Sequence, residues 1–197
     1  MKVRDITFIG VAAAIICIFA PMSVQIGPIP ITLATFAIYF TAATLGTYRG
    51  TIAVSIYILL GMVGLPVFSN YTGGLQKIAG ATGGYIIGYI PLALIVGLLA
   101  DKIQVSAKKE DGKWSPRAIL AVAKYPVGMI LGTAVLYVFG TAWYCFVSGN
   151  TLAVALTYCV IPFLGVDLIK IVAASALATA VVPALRRIPG FYRSSAK

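Results

Sequence analysis

Long stretches without a charged side chain constrain this chain more than any other feature. No Asp, Glu, Lys or Arg occurs at 6–48, 78–100 or 125–166. Each stretch can hold a helix that crosses the hydrocarbon core of a membrane, which needs about 20 apolar residues. Hydrophobic residues make up 60% of the chain and charged residues 10%, whereas soluble domains have about 25% charged residues. The pattern predicts an all-α integral membrane protein.

The apolar runs and the residues that interrupt them predict six transmembrane helices, at about 5–20, 31–45, 51–64, 85–100, 116–146 and 162–186. Pro21 ends the first helix, and Pro28 and Pro30 keep the following segment extended. Gly46 and Gly50 bracket a short turn between the second and third helices. A short surface helix is expected at 151–159. Neither a repeat nor a linker divides the chain, so residues 1–197 are predicted to form one six-helix domain.

The charges of the loops predict the orientation of the helices. Lys and Arg accumulate on the cytoplasmic side of membrane proteins, and a cytoplasmic N-terminus puts nearly all of them there. These inner cations are Lys2, Arg4, Arg49, those of the 101–117 connection, Arg186, Arg187, Arg193 and Lys197, whereas the outer segments hold only Lys77. We expect a plasma-membrane protein with both termini in the cytoplasm. The net charge of +10 then needs no nucleic acid, and no soluble basic domain exists to bind one.

Asp167 and Lys170 place a carboxylate and an ammonium inside the last apolar run. Residues three apart lie on nearly the same face of a helix, and ionisable residues in membrane helices are costly and mostly functional. Asp167 precedes Arg186 by 19 residues, about 28 Å of helix, which puts it near the outer boundary of the hydrocarbon. The pair can bind a neutral polar ring such as a cyclic urea, through N–H groups to Asp167 and oxygen to Lys170. The alternative is a pair that only neutralises itself.

Two further segments offer binding surfaces. The glycine-rich connection 65–84 lies on the same outer side as Asp167, and its length and glycines suit close approach of backbone to a ligand, although it can also be a plain loop. Helix 1 carries two small-xxx-small pairs, Gly10 with Ala14 and Ala13 with Cys17. Such pairs let another helix approach closely, either within the bundle or from a partner protein.

Several kinds of chemistry lack their residues. The chain has no histidine, no GxxxxGK[ST] motif and no CxxC pair, which excludes Ser-His-Asp catalysis, a Walker ATP site and the usual zinc or haem sites. Cys17, Cys145 and Cys159 are expected to be free thiols. Asp167 is the only acidic residue deep in a span, so paired-carboxylate catalysis has no second partner. We expect a binding protein without metal or cofactor, and not an enzyme.

The motifs, in this order and on a six-helix pattern, resemble the BioY family, the biotin-specific S-components of energy-coupling factor (ECF) transporters. The resemblance rests on Gly64-Leu65-Pro66-Val67-Phe68, on Gly80-Ala81-Thr82-Gly83-Gly84-Tyr85 with Gly88-Tyr89, on Pro162-Phe163 with Asp167 and Lys170, and on Pro28-Ile29-Pro30-Ile31-Thr32-Leu33. Two departures stand out. Ala34 replaces the glutamine usual in the family, and Ser69, Asn70 and Tyr71 interrupt the family's glycine-rich stretch.

The resemblance implies a mechanism of uptake. Such a protein binds biotin from outside with high affinity and associates with a transmembrane coupling protein and two cytosolic ATPases. It implies biotin contacts at Asp167, Lys170, Asn70, Gly73, Gly74, Gly83, Gly84, Tyr85 and Phe163. It implies docking of the coupling protein at Gly10, Ala13, Ala14 and Cys17.

Two other functions stay open at this point. A self-sufficient secondary carrier for a small polar heterocycle needs a titratable relay, for which one deep carboxylate is a thin basis. A small intramembrane enzyme would have to work without histidine and without a second buried carboxylate.

Overall fold

Helices make up nearly all of the regular structure in the computed structural model, which describes residues 3–25, 28–102 and 116–186. The helices are α1 (Val3–Phe19), α2 (Ala34–Val63), α3 (Leu75–Ala79), α4 (Gly83–Asp101), α5 (Pro116–Ser148), α6 (Leu152–Cys159) and α7 (Ile161–Arg186). The predicted helices agree with these bounds to within a few residues. Most of the predicted 101–117 connection, and the cations Lys2, Arg187, Arg193 and Lys197, lie outside the described residues.

Four of the described helices are long and apolar enough to cross a membrane. They are Ala34–Val63, Gly83–Asp101, Lys124–Ser148 and Ile161–Leu185. Helix α1, with 17 residues, is shorter than these. The finding agrees with a multi-pass membrane protein, and the count of six transmembrane helices stays a prediction.

Gly46 breaks α2 into two segments, 34–45 and 47–63. Its φ of 78° and ψ of −175° are not helical, and positive φ is a conformation that glycine adopts without steric cost. The chain reverses direction here. The two segments lie side by side, as a Cβ on Gly50 would be 2.9 Å from the Cα of Ala42. The predicted turn is therefore confirmed at Gly46, whereas Gly50 lies in the second segment. The first segment is only about 18 Å long.

A two-stranded antiparallel ribbon follows α1, in the segment that the prolines were predicted to keep extended. Strand β1 (Ser23–Gln25) pairs with β2 (Pro30–Thr32), with Val24 opposite Ile31. The described residues are otherwise mostly helical, so this short ribbon is a local addition to the predicted helical fold. The predicted glycine-rich loop is also more ordered than expected, since it contains a 3-10 turn (Ser69–Tyr71) and the short helix α3.

The core of the bundle is built mainly from α2, α4 and α5. Helix α4 makes its most extensive contacts with α5 and α2, and the largest fully buried side chains include Tyr39, Tyr57, Phe68 and Leu92. A smaller apolar cluster joins α1 to the region around the Gly46 break, with Ile9 and Ala13 packed near Leu45. The three cysteines are free thiols, as expected.

Candidate ligand-binding site

Asp167 and Lys170 form a buried ion pair on the first part of α7. Lys170 Nζ lies 2.9 Å from Asp167 Oδ1, and the two residues keep only 3% and 6% of their surface exposed. Removing charges from water costs several kcal/mol per ion in real proteins, and mutual attraction repays this only with good geometry and further hydrogen bonds. Apolar residues of similar size at these two positions would therefore cost less folding free energy than the ion pair does.

Side chains from two other helices complete the hydrogen bonds of this pair. Tyr137 on α5 donates its hydroxyl to Asp167 Oδ2 at 2.7 Å. Thr35, in the first turn of α2, accepts from Lys170 Nζ at 3.1 Å and donates to Asp167 Oδ1 at 3.4 Å. Because α2, α5 and α7 all contribute, the carboxylate is held from both sides in one orientation. We call these four residues the Asp167 network.

The Asp167 network forms one wall of a cavity at the end of the bundle. The cavity holds about 560 Å³ of empty space, a volume that includes the part continuous with solvent. Its wall is largely aromatic and aliphatic with a few hydroxyls. Besides the network it comprises Ala20, Ile29, Pro30, Thr32, Ala34, Tyr57, Phe68, Ser69, Thr82, Tyr85, Ile86, Tyr89, Leu136 and Phe163.

The cavity lies far along the bundle from most of the described cations. It is lined by Ala20, just past the end of α1, and by Phe163, at the start of α7. At the other end of the bundle, Arg49 pairs with Asp5 near the start of α1 at 2.7 Å. The cavity thus opens at the end that lacks the Arg49 and Lys102 cations.

Tyr85 and Phe163, both predicted as site residues, line the cavity. Tyr85 presents its ring, because its hydroxyl donates to the Cys159 carbonyl at 3.1 Å and lies 3.4 Å from the Thr141 hydroxyl. Phe163 is 8% exposed. Both side chains therefore present apolar surface to the cavity.

The four glycines predicted as ligand contacts do not line the cavity, and each has a packing role. A Cβ on Gly83 would overlap the Ile78 carbonyl, and one on Gly84 would lie 2.7 Å from the Phe139 carbonyl oxygen and overlap Trp143. Gly73 packs against Leu65, and Gly74, with φ 95°, donates its N–H to the Gly61 carbonyl at 2.7 Å. The close approaches seen at these glycines are between backbones and helices, and direct contact with a ligand stays a prediction.

Asn70 lies outside the cavity wall and joins the 3-10 turn to β1. Its side chain accepts from Ser23 Oγ at 2.7 Å and donates to Gln25 Oε1 at 3.0 Å. Its φ of 58° is left-handed, a conformation that asparagine tolerates better than most residues. In the structure Asn70 fastens the β1–β2 ribbon beside the cavity, and its contact with a ligand stays a prediction.

The two small-xxx-small pairs of α1 face different directions. Gly10 and Ala14 are exposed, and a Cβ on Gly10 would meet nothing within 4 Å. Ala13 is 3% exposed and packs beside α2, and Cys17 packs against the main core. Only the first pair is therefore exposed on the surface of the bundle, and docking of a partner on α1 stays a prediction.

Tyr137 and Thr35 were missed by sequence reasoning. Tyr137 belongs to a run of aromatic residues near the end of α5, where aromatic side chains are typical of an interfacial belt, yet it lines the cavity. Phe139 and Phe146, further along the same run, are exposed. The signal that could have identified them is a hydroxyl at the depth in the membrane expected for Asp167. A buried carboxylate needs hydrogen-bond donors.

Among residues 3–25, 28–102 and 116–186 no group of three or more His, Cys, Asp or Glu side chains is placed to hold a metal ion. The charged and polar atoms that converge on the cavity belong instead to one carboxylate, one ammonium and several hydroxyls. This set can bind an uncharged ligand that presents both hydrogen-bond donors and an acceptor.

Comparison with known proteins identifies the family. A model of the BioY family matches residues 1–187. The chain belongs to the BioY family. Biotin transporter BioY of Thermotoga maritima is 36% identical over 175 residues, which cover 89% of this chain and 94% of that protein. Biotin transporter BioY of Rhizobium etli is 32% identical over 192 residues, covering 96% and 98%.

A solved structure has the same fold as this BioY-family protein. The crystal structure of the S-component for biotin from an ECF-type ABC transporter matches with a TM-score of 0.80 and 25% identity, over 96% of this chain and 94% of that one. The named relatives are transporters and not enzymes. The resemblance seen in the sequence motifs is therefore confirmed.

Proposed function

We propose that this protein is the biotin-binding S-component of an ECF-type importer in the plasma membrane. Likeness over nearly the whole chain to biotin transporters and to a biotin S-component supports the proposal. The observation that carries it is the buried Asp167–Lys170 pair on the wall of a largely apolar cavity. It gives the fold the recognition chemistry that a cyclic urea requires.

The ring of biotin suits the chemistry of the pair. A cyclic urea presents N–H donors beside a strongly polar carbonyl. Asp167 accepts an N–H group and Lys170 donates to the carbonyl oxygen, and hydrogen bonds to charged groups contribute about 1.5–3 kcal/mol each. The rings of Tyr57, Phe68 and Phe163, which line the same cavity, cover the hydrocarbon and sulfur of the ligand.

In our proposal the cavity opens to the outside and both termini lie in the cytoplasm. The distribution of cations supports this orientation, since Arg4, Arg49 and Lys102 belong to the end away from the cavity. Six spans follow if α1, 34–45, 47–63, α4, α5 and α7 each cross the bilayer or most of it. Lys77 in α3 is then an outer cation.

The partners in this proposal are a transmembrane coupling protein and two cytosolic ATPases. They supply the nucleotide site for which the sequence has no motif. The exposed Gly10 and Ala14 on α1 form a surface that lets a helix of the coupling protein approach closely. Release of biotin to the cytoplasm then depends on the ATPases through this contact.

Native mass spectrometry of the detergent-purified chain tests the ligand. We expect biotin to bind with 1:1 stoichiometry, and Asp167→Ala to abolish binding. Asp101→Ala, which removes an exposed carboxylate at the opposite end, serves as the matched control and should keep biotin. A chain that neither retains nor takes up biotin would contradict the proposal.

Uptake into proteoliposomes tests the mechanism. We expect biotin accumulation only when the coupling protein, the ATPases and ATP are present. Accumulation driven by a proton or ion gradient in vesicles that contain this chain alone would instead establish a secondary carrier.

A further inference from the structure

The Asp167 carboxylate has little hydrogen-bonding capacity left for a ligand. A carboxylate offers about four lone-pair positions, two on each oxygen. Oδ1 accepts from Lys170 at 2.9 Å and from Thr35 at 3.4 Å. Oδ2 accepts from Tyr137 at 2.7 Å. One position on Oδ2 therefore stays available.

The ammonium on the same wall is constrained in a similar way. Lys170 has three N–H donors, of which one binds Asp167 Oδ1 and one binds Thr35 Oγ1. One donor remains. The charged pair therefore offers a ligand one acceptor and one donor.

We propose that Tyr137 is a positioning residue that limits Asp167 to a single ligand N–H. Its hydroxyl occupies the half of Oδ2 that would otherwise accept a second donor, and it holds the carboxylate plane against rotation. The charged pair then binds a single H–N–C=O edge of the ligand, with Asp167 accepting from the N–H and Lys170 donating to the carbonyl oxygen. This inference rests on the proposed function for the identity of the ring, and it adds a rule for ring specificity.

The rule has a chemical consequence for the two N–H groups of a cyclic urea. They point away from each other across the carbonyl, so the single position on Oδ2 serves only one of them. The other N–H is left to neutral oxygens, such as those of Tyr137 or Thr35 on the same wall. The two N–H groups therefore contribute unequally, because a bond to a charged acceptor is roughly twice as strong as a neutral one.

A double-mutant cycle on biotin affinity tests whether Tyr137 acts through Asp167. We expect Tyr137→Phe to weaken binding about tenfold, and the same change in the Asp167→Asn background to cost less than about threefold, because the charge to be oriented is gone. Tyr85→Phe removes a hydroxyl of the same cavity wall that donates to Cys159, so its loss should be equal in both backgrounds. An equal loss for Tyr137→Phe in both backgrounds would overturn the inference.

A second measurement needs only the wild-type chain and so does not depend on how a variant folds. Two cyclic carbamate analogues of biotin each replace one ring N–H by oxygen. We expect one analogue to bind about 10- to 100-fold more weakly than biotin and the other less than about tenfold more weakly. Equal and large losses for both analogues would overturn the single-edge rule. A wild-type chain that binds no biotin would instead overturn the proposed function.

Discussion

Lys170 Nζ and Asp167 Oδ1 lie 2.9 Å apart on one helix, and water reaches neither residue to any large extent. The hydrogen bonds that hold them come from Tyr137 on α5 and Thr35 on α2. The pair thus joins three helices at the place where the cavity forms. Its geometry is fixed before a ligand binds, which lowers the entropic cost of binding.

The first prediction concerns the stability of this pair. Asp167→Ala should destabilise the protein by about 3–5 kcal/mol, because it leaves a buried ammonium without its counter-charge. The double change Asp167→Leu with Lys170→Met should be within about 2 kcal/mol of wild type, since it removes both desolvation costs. Thermal unfolding of the ligand-free protein in detergent measures the stability of each variant relative to wild type.

Both variants should lose biotin binding, but only the single variant should be strongly destabilised. The effect on affinity can therefore be distinguished from the effect on stability. If the double variant were as unstable as the single one, the pair would be stabilising in itself and the argument that it serves ligand binding would lose its basis.

The second prediction separates packing glycines from exposed ones. Gly84→Ala should cost about 1–3 kcal/mol of stability, because the added methyl overlaps Trp143 at the contact of α4 with α5 and overpacked cores are strained. Gly10→Ala is the matched control, since open space surrounds that position. It should be neutral or stabilising by up to about 1 kcal/mol through helix propensity.

Unfolding curves for both variants decide this. A Gly84→Ala variant that unfolds like wild type but binds biotin weakly would restore the ligand contact that the sequence suggested.

These glycines show what the sequence could and could not predict. Charge-free runs and interrupting residues identified the helices, because hydrocarbon excludes charge and lipid-exposed backbone must be hydrogen-bonded internally. The spacing of Asp167 and Lys170 sufficed to bring them together, because it is local to one helix. Whether Gly84 meets a ligand or Trp143 depends on which helix lies opposite, and no local pattern carries that information.

The same limit explains why the hydrogen-bond partners of Tyr137 and Asn70 could not be predicted from the sequence. An aromatic residue near the end of a membrane helix is typical of an interfacial belt, and only the position of α7 beside α5 turns Tyr137 towards Asp167. Asn70 interrupts a glycine-rich stretch, and its partners Ser23 and Gln25 lie more than 40 residues away in the sequence. Long-range pairing of this kind cannot be inferred from spacing.

The third prediction concerns the reversal at Gly46. Asp101 Oδ2 accepts from the backbone N–H of Thr47 at 3.0 Å and from its hydroxyl at 2.6 Å, and so caps the second segment of α2. Gly46→Ala should cost about 1–3 kcal/mol, from positive φ and from overlap with the Asp101 carboxylate. Asp101→Ala alone should cost about 1 kcal/mol, as the loss of a helix cap does.

The two changes should be less than additive, because removing the carboxylate also removes the overlap. Thermal unfolding of the single and double variants measures this coupling. Strict additivity would mean that φ strain accounts for the whole effect of Gly46→Ala.

The fourth prediction concerns the ion pair that fastens α1 to α2. Arg49 and Asp5 are largely buried, with side chains 12% and 20% exposed. Arg49→Gln should therefore cost about 1–3 kcal/mol, and biotin affinity should not change because the pair lies at the end away from the cavity. Isothermal titration with biotin, beside an unfolding curve, checks both parts. A large loss of affinity would mean that this end of the bundle is coupled to the cavity.

The last prediction concerns the ribbon above the cavity. Ile29, Pro30 and Thr32 line the cavity, and Asn70 fastens the ribbon through Ser23 and Gln25. Asn70→Gly keeps the left-handed conformation available but removes both side-chain hydrogen bonds. Each is worth about 1 kcal/mol, so biotin should dissociate roughly tenfold faster while its association changes less. Chase experiments with labelled biotin measure the dissociation rate.

Asn150→Ala is the control for this experiment. Asn150 also lies in an exposed turn, but its side chain donates to Tyr144 at 3.2 Å and not to the ribbon, so its loss should leave dissociation unchanged. Biotin analogues distinguish a direct contact of Asn70 from a fastening role. If Asn70 contacted biotin directly, as the sequence suggested, an analogue altered at the contacted group would abolish the difference between Asn70→Gly and wild type. A fastening role predicts the same acceleration for every analogue that fills the cavity, since the ribbon and not the ligand loses its hydrogen bonds.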